Sequence, residues 1–155
     1  MTRNDTAYQH TQRAPIYWLL YALSFTLLGL GGVLRTVPPI FWAFFLSGLL
    51  MLIVAAAFHH LTVRDRGDSL SVAFGPISLF RRDIDYRDVL SVEVGRTTTL
   101  DGWGIHLSLK GGWVWNIWGR DCVMVRLKNG GVLRIGTDDA ENLAQFLTKR
   151  CGKKQ

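Results

Sequence analysis

IYWLLYALSFTLLGLGGVL (Ile16–Leu34) and IFWAFFLSGLLMLIVAAAF (Ile40–Phe58) decide how this chain folds. Each run has 19 residues and no charge, and only Arg35-Thr36-Val37-Pro38-Pro39 separates them. A helix of that length rises about 28 Å, close to the ~30 Å hydrocarbon core of a bilayer. The spacing predicts a transmembrane helical hairpin with spans Ile16–Leu34 and Ile40–Phe58. A cleaved leader would have a shorter apolar core and a small-x-small site, and Val33-Leu34-Arg35-Thr36 offers none. Two uncharged runs of this length also argue against a hairpin buried in a soluble core.

Outward from the hairpin, composition changes at His59-His60. Residues 1–15 read as a cytoplasmic tail, 16–58 as the hairpin, 59–150 as one small β domain and 151–155 as a basic tail. The chain beyond the hairpin is long enough to build one core and not two. The net charge is +6: residues 59–155 hold 15 Lys and Arg against 11 Asp and Glu, the tail holds Arg3 and Arg13 against Asp5, and the loop holds Arg35. Lys and Arg flank the outer ends of both runs, so the positive-inside rule places both termini in the cytoplasm of a cell with this multi-pass protein in its inner (plasma) membrane. Tyr17 and Trp18 would lie at the inner interface and Trp42 near the outer one.

No Asp, Glu, Lys or Arg interrupts either run. A conduit or proton relay usually needs such groups, so the hairpin reads as an anchor. Ser24, Gly29, Gly31 and Gly32 in one run and Ala43, Ser47 and Gly48 in the other are small enough for close helix packing. His59 runs straight into an alternating segment without a linker, which holds the domain against the headgroups. Neighbours in a strand face opposite ways, so His59 and His60 are not expected to pair on a metal.

Short alternating segments come next: His60–Asp65, Leu70–Phe74, Ile77–Phe80, Val89–Gly95, Gly102–Leu109, Trp113–Ile117, Cys122–Leu127 and Val132–Ile135. Asp85-Tyr86-Arg87-Asp88 reads as a turn or a single helical turn. Asn129-Gly130-Gly131 as a three-residue loop sets Leu127 against Leu133, Val125 against Ile135 and Arg126 against Arg134, with Gly131 in the left-handed region. A closing helix has Asp138 as its cap, Glu141 three residues on, and Leu143, Phe146 and Leu147 as one apolar stripe. The pattern is α+β, mainly β: about seven antiparallel strands closed by one helix.

Gly102-Trp103-Gly104-Ile105, Gly112-Trp113, Trp115-Asn116, Gly119 and Gly136-Thr137-Asp138, in that order, resemble bacterial PH-like membrane proteins of uncharacterised function. The resemblance covers roughly Leu70 to Leu147. It departs at Val132-Leu133, where an aromatic is common, and at Ala140, where Pro is common. It implies a seven-stranded split barrel with a C-terminal capping helix, used for binding or assembly. It carries no ligand residues.

Chemistry is sparse. His106 near Asp101 is the one acid–base neighbourhood and no nucleophile stands at readable spacing, so no enzyme is expected. Cys122 and Cys151 have neither metal-ligand spacing nor, in the cytoplasm, reason to bond. No pattern calls for a cofactor or for nucleic acid. Of the four Trp between 103 and 118, Trp103 and one of Trp113 and Trp115 read as core, and Trp118 is the candidate for a wedge in the membrane interface. The remaining candidate contacts are cationic: Arg81 and Arg82 beside the bilayer, and Arg126, Lys128 and Arg134 on one hairpin face. The functional expectation is a membrane-anchored, non-catalytic module that recruits or assembles a protein partner, a further copy included. The alternative is recognition of anionic lipid headgroups by the basic hairpin face.

Overall fold

The computed structural model describes residues 7–76, 80–98, 101–108 and 110–152. The two apolar runs form α1 (Ile16–Val33) and α2 (Pro38–Ala57). Pro38 and Pro39 start α2, where an absent backbone N–H breaks no helical bond. Both helices are long and apolar enough to cross a membrane, and only 11% of the apolar stretch in α1 and 17% of that in α2 is buried. Trp18, Leu19, Phe25 and Leu50 all point outward.

The helices meet at Ser24, Gly31 and Gly48, all buried. The Ser24 hydroxyl donates to the Gly48 carbonyl at 2.8 Å. A methyl group on Gly48 would stand 2.8 Å from Leu28 Cγ. Of the other small residues, Gly29, Gly32, Ala43 and Ser47 face outward and do not join this contact.

The segment expected as a tail is a strand, β1 (Gln9–Arg13). It pairs antiparallel with β2 (His60–Asp65), Arg13 opposite His60 and Gln9 opposite Arg64. The helix pair is therefore the connection within a β-hairpin: the chain leaves the sheet at Arg13 and re-enters it at His60. Residues 9–13 and the domain consequently lie at the same end of the helices. β3 (Ser69–Phe74) and β4 (Phe80–Asp85) complete a sheet ordered β1-β2-β3-β4. The expected strand Ile77–Phe80 falls largely on residues 77–79, which lie outside the described residues, and Phe80 begins β4.

A 3₁₀ turn at Tyr86–Asp88 leads into β5 (Val89–Arg96), β6 (Gly104–Leu107), β7 (Trp113–Asn116), β8 (Asp121–Leu127) and β9 (Val132–Gly136). Their order is β5-β8-β9-β7-β6, and β7 runs parallel to β9. The architecture is thus α+β: two apolar helices, two sheets and a C-terminal helix. The described residues form nine strands in two open sheets, not seven antiparallel ones. The core joins Leu61, Val63, Val72 and Phe74 of the first sheet to Val123, Val125, Leu133 and Ile135 of the second.

Helix α3 (Ala140–Gly152) closes this core with Leu143 and Leu147. Phe146 stacks on Tyr8 at 5.3 Å. The helix starts later than its sequence signal: the Asp139 carbonyl accepts from Leu143 N–H, and Asp138 instead meets the His10 imidazole at 2.5 Å. Asp65, at the far end of β2, accepts from the Tyr86 hydroxyl at 2.8 Å and from Arg150 of α3 at 2.6 Å.

Candidate functional site

The end of the domain next to the helices is built on Phe58, which follows α2. Its ring lies 5.3 Å from that of Phe74 and 6.5 Å from that of Phe80. Gly75 has φ +68°, and a methyl there would come within 2.7 Å of the Ala56 and Ala57 carbonyl oxygens. Glycine alone lets the β3 end press onto the end of α2. A methyl on Gly104, the first residue of β6, would be 3.8 Å from the Phe58 ring. Both β4 and β6, each an edge strand, therefore start at the foot of the helices.

Between these two edges lies a cleft of about 330 Å³ lined by Phe80, Arg81, Arg82, Ile105, Trp113 and Trp115. Ile105 and Trp115 are cross-strand partners, so Trp113 and Trp115 share the lining face. Trp115 is only 7% exposed, and its indole Nε1 has no hydrogen-bond partner among the described residues. On β4, Arg82 shares its parity with buried Ile84 and so faces the other sheet. No acid pairs with Arg82 among the described residues. Arg81 points the other way and is committed to Asp83, at 3.0 and 2.6 Å. That guanidinium holds the Asp83 carboxyl below the usual carboxylate range.

The tryptophans sort differently from expectation. Trp115 is core, while Trp103 is 50% exposed and Trp113 41%. Trp118 is half-buried beneath Trp103, rings stacked at 4.5 Å, and its carbonyl accepts from Gln12 Nε2 at 3.0 Å. Burial under its neighbour leaves Trp103, not Trp118, as the outward ring of the pair. Thr97, Thr98 and Arg120 flank it.

The basic hairpin face does not assemble as expected. Val125 pairs with Leu133 and Arg126 with Val132, while Arg134 faces Met124. The loop is Lys128-Asn129-Gly130, and Gly130, at φ +81°, is its left-handed residue, one position before the expected Gly131. Arg126 and Arg134 are thus not directly opposed. Arg126 reaches Glu93 at 3.6 Å, and Arg134 donates to the Gly111 carbonyl. Lys128 donates its backbone N–H to the Asp88 carbonyl, just past the distal end of β4. Five strand steps, about 17 Å, separate that end from the helices. Of the six candidate contacts, only the neighbours Arg81 and Arg82 border one cleft, with their side chains on opposite faces of β4.

His59 precedes β2 and escapes strand alternation, so its Nδ1 meets His60 Nδ1 at 3.0 Å. Burial, then His59 and Arg13, hold His60 below the ordinary imidazole value. Asp101 and His106 share no hydrogen bond. Burial works to raise the Asp101 carboxyl, but bonds from Thr98 and Ser108 prevail and leave it at about 2. His106 Nε2 is buried without a partner among the described residues. Among the described residues no group of three or more His, Cys, Asp or Glu could hold a metal.

A second groove, about 620 Å³, runs between the end of β5 and the start of α3. Val94 lines it together with Asp121, Asp138, Asp139 and Glu141. Leu90 and Val94 on this edge strand are 65% and 53% exposed. Neither this edge nor the β4–β6 cleft is visible in the sequence, because both arise from strands brought together across the chain. No family model matches the chain, and neither does any curated protein.

Proposed function

We propose that the chain is a membrane-anchored, non-catalytic PH-like module that recruits or assembles a protein partner at the cytoplasmic surface of the inner membrane, with both termini cytoplasmic. The anchor reading draws on two largely uncovered apolar helices joined by a short loop. The sidedness draws on the placing of Lys and Arg, and the PH-like reading on the ordered Gly-Trp motifs and the helix that closes the sheets.

The observation that carries the partner reading is the free edge of β5. An exposed strand edge offers unpaired backbone groups for another strand, and most proteins blunt it with charge or cover. Here Leu90 and Val94 stand open on it. In the adjoining groove Asp121 is paired with Arg96 at 2.8 Å and Asp138 with His10, so the edge offers its backbone and apolar side chains rather than free carboxylates. A photo-crosslinking residue in place of Val94, in full-length protein in native membranes, tests this. Discrete protein adducts from position 94, and none from exposed Lys110, support the reading. Equal or absent adducts at the two positions overturn it. Release of the protein from membranes by alkaline carbonate would overturn the anchor.

A further inference from the structure

We propose that the partner at the β5 edge is a further copy of this chain, which offers its β6 edge, so that copies anchored in one membrane join head to tail. The inference rests on the partner reading above and names the partner.

The membrane limits how two copies can meet. Copies that share a bilayer symmetrically are related by rotation about its normal, which leaves the direction of every strand along that normal unchanged. β5 starts just past the 3₁₀ turn, at the distal end of β4, and runs back toward the helices. Thr97, which follows it, shares a groove with Trp118, whose carbonyl accepts from Gln12, next to the exit of the chain into α1. Antiparallel pairing of β5 with its own counterpart needs a two-fold axis across the strands, which would carry one helix pair out of the bilayer. Antiparallel pairing of β5 in one membrane therefore needs an edge that runs away from the helices. Both β4 and β6 do.

Alternation chooses between them. Thr97 N–H donates to the Arg120 carbonyl, so the odd residues of β5 turn their backbone to β8, and Val92 and Val94 turn theirs to the free edge. Ser108 N–H donates to the Gly112 carbonyl, which leaves Ile105 and Leu107 on the free edge of β6. Tyr86 N–H donates to the Asp68 carbonyl, which leaves Arg81 and Asp83 on the free edge of β4. Residues opposed in an antiparallel pair send their side chains to the same face. Val92 and Val94 lie on the core face, paired with Val125 and Val123, and Ile105 and Leu107 lie on that same face, paired with Trp115 and Trp113. Joining β5 to β6 thus sets valines beside Ile105 and Leu107 in a sheet that continues from copy to copy. It covers Val94 and Leu107, which are 53% and 64% exposed. Joining β5 to β4 would set the valines beside Arg81 and Asp83, an ion pair on the outer face.

Charge agrees. Arg82 borders the cleft beside Ile105, and Glu141 of α3 borders the groove beside Val94. Neither has an oppositely charged partner among the described residues. Joining the two edges brings cleft and groove together on the core side, a guanidinium of one copy against a carboxylate of the next. With Val94 opposite Ile105, β6 ends opposite Val92, and Lys110, in the turn that follows, lies past the paired strand. β6 is only four residues long, so the contact depends on confinement to the membrane, which raises the effective concentration. A domain freed from its helices stays monomeric in dilute solution.

The test places single cysteines in full-length Cys151→Ser protein. Two differently tagged copies are expressed together, and native membranes are oxidised with copper phenanthroline. A disulfide needs Cα atoms within about 7 Å of each other. Val94→Cys in one copy with Ile105→Cys or Leu107→Cys in the other should give a mixed dimer. Val94→Cys with Val94→Cys, and Val94→Cys with Arg81→Cys, should give none. The pair that reacts, carried together in one chain, should give a ladder that passes the dimer. Circular dichroism of the purified variants checks that each is folded. A disulfide in either control, a product that stops at the dimer, or no product from both mixed pairs in folded protein overturns the proposal. Photo-adducts from position 94 to a different protein would overturn it too and leave the partner reading standing, so the two failures are distinguishable.

Discussion

Asp65 illustrates how much one side chain can join. It accepts hydrogen bonds from Gly67, Tyr86 and Arg150 and so ties β2, the 3₁₀ turn and α3 together. Burial works against its charge, but those bonds prevail and hold its carboxyl below the ordinary value. A carboxyl depressed in the folded state contributes stability above its unfolded pKa, about 3.9, and loses it as pH falls through the folded value. Acid should therefore loosen α3 only below about pH 4. Asp65→Ala should cost about 3 kcal/mol by removing the buried carboxylate that Gly67, Tyr86 and Arg150 share, whereas Arg87→Ala, in an exposed pair with Asp85, should leave stability nearly unchanged. Chemical denaturation followed by tryptophan emission in detergent checks both. His60 has the same sign for a different reason: its imidazole is harder to protonate folded than free. Its contribution is present above about pH 6.5 and falls away as pH drops through the lowered value. In an NMR titration, His59→Ala should move the His60 midpoint upward, and an unmoved midpoint would mean that the facing imidazole plays no part.

At the scale of elements, two contacts set how the helices and sheets meet. Gly48→Leu should drive α1 and α2 apart, since even a methyl there meets Leu28 at 2.8 Å. Ser24→Ala, which removes only the bond to the Gly48 carbonyl, should cost about 0.6 kcal/mol, as interhelical bonds in lipid usually do. Disulfide trapping between the helices distinguishes the two outcomes. Gly75→Ala should unseat β3 from α2 through both strain and the clash with the Ala56 and Ala57 carbonyls. The apolar runs were legible from their length and lack of charge, β5 from its valines, and β8 and α3 because each buries a repeating face. β1 and β4 were not. Gln9–Arg13 is polar, and Phe80-Arg81-Arg82-Asp83 breaks alternation, because edge strands can place polar residues in solvent. The β8–β9 register was legible in its parity but not its offset. Moving the pairing by two residues leaves apolar against apolar, so hydrophobicity could not choose between Gly130 and Gly131 as the left-handed position.

At the scale of the molecule, the helix pair interrupts a two-stranded hairpin, which makes β1 part of the domain fold. Arg13 and His60 are direct partners, so a two-residue Asn-Gly turn could replace residues 14–59. Residues 7–13, Asn-Gly and 60–152 should then form a soluble, monomeric domain. Residues 60–152 alone should associate, because removal of β1 uncovers the edge of β2 and takes away the buried side chain of Gln12. Analytical ultracentrifugation of the two fragments decides the matter, and equal monomers would show that β1 is dispensable.

The sequence by itself determined what is local and repetitive: two uncharged runs of helical length, alternating strands, a capped C-terminal helix and an excess of cationic charge. These depend on the period of side chains along a single segment, which the order of residues states directly. Only the tertiary structure decided that the leading segment joins the sheet, that β7 lies beside β9, that Arg126 and Arg134 are not opposed, and that Arg82 and Trp115 share one cleft. Each of these depends on which strands become neighbours, and that is fixed by filling a common core rather than by any pattern along the chain.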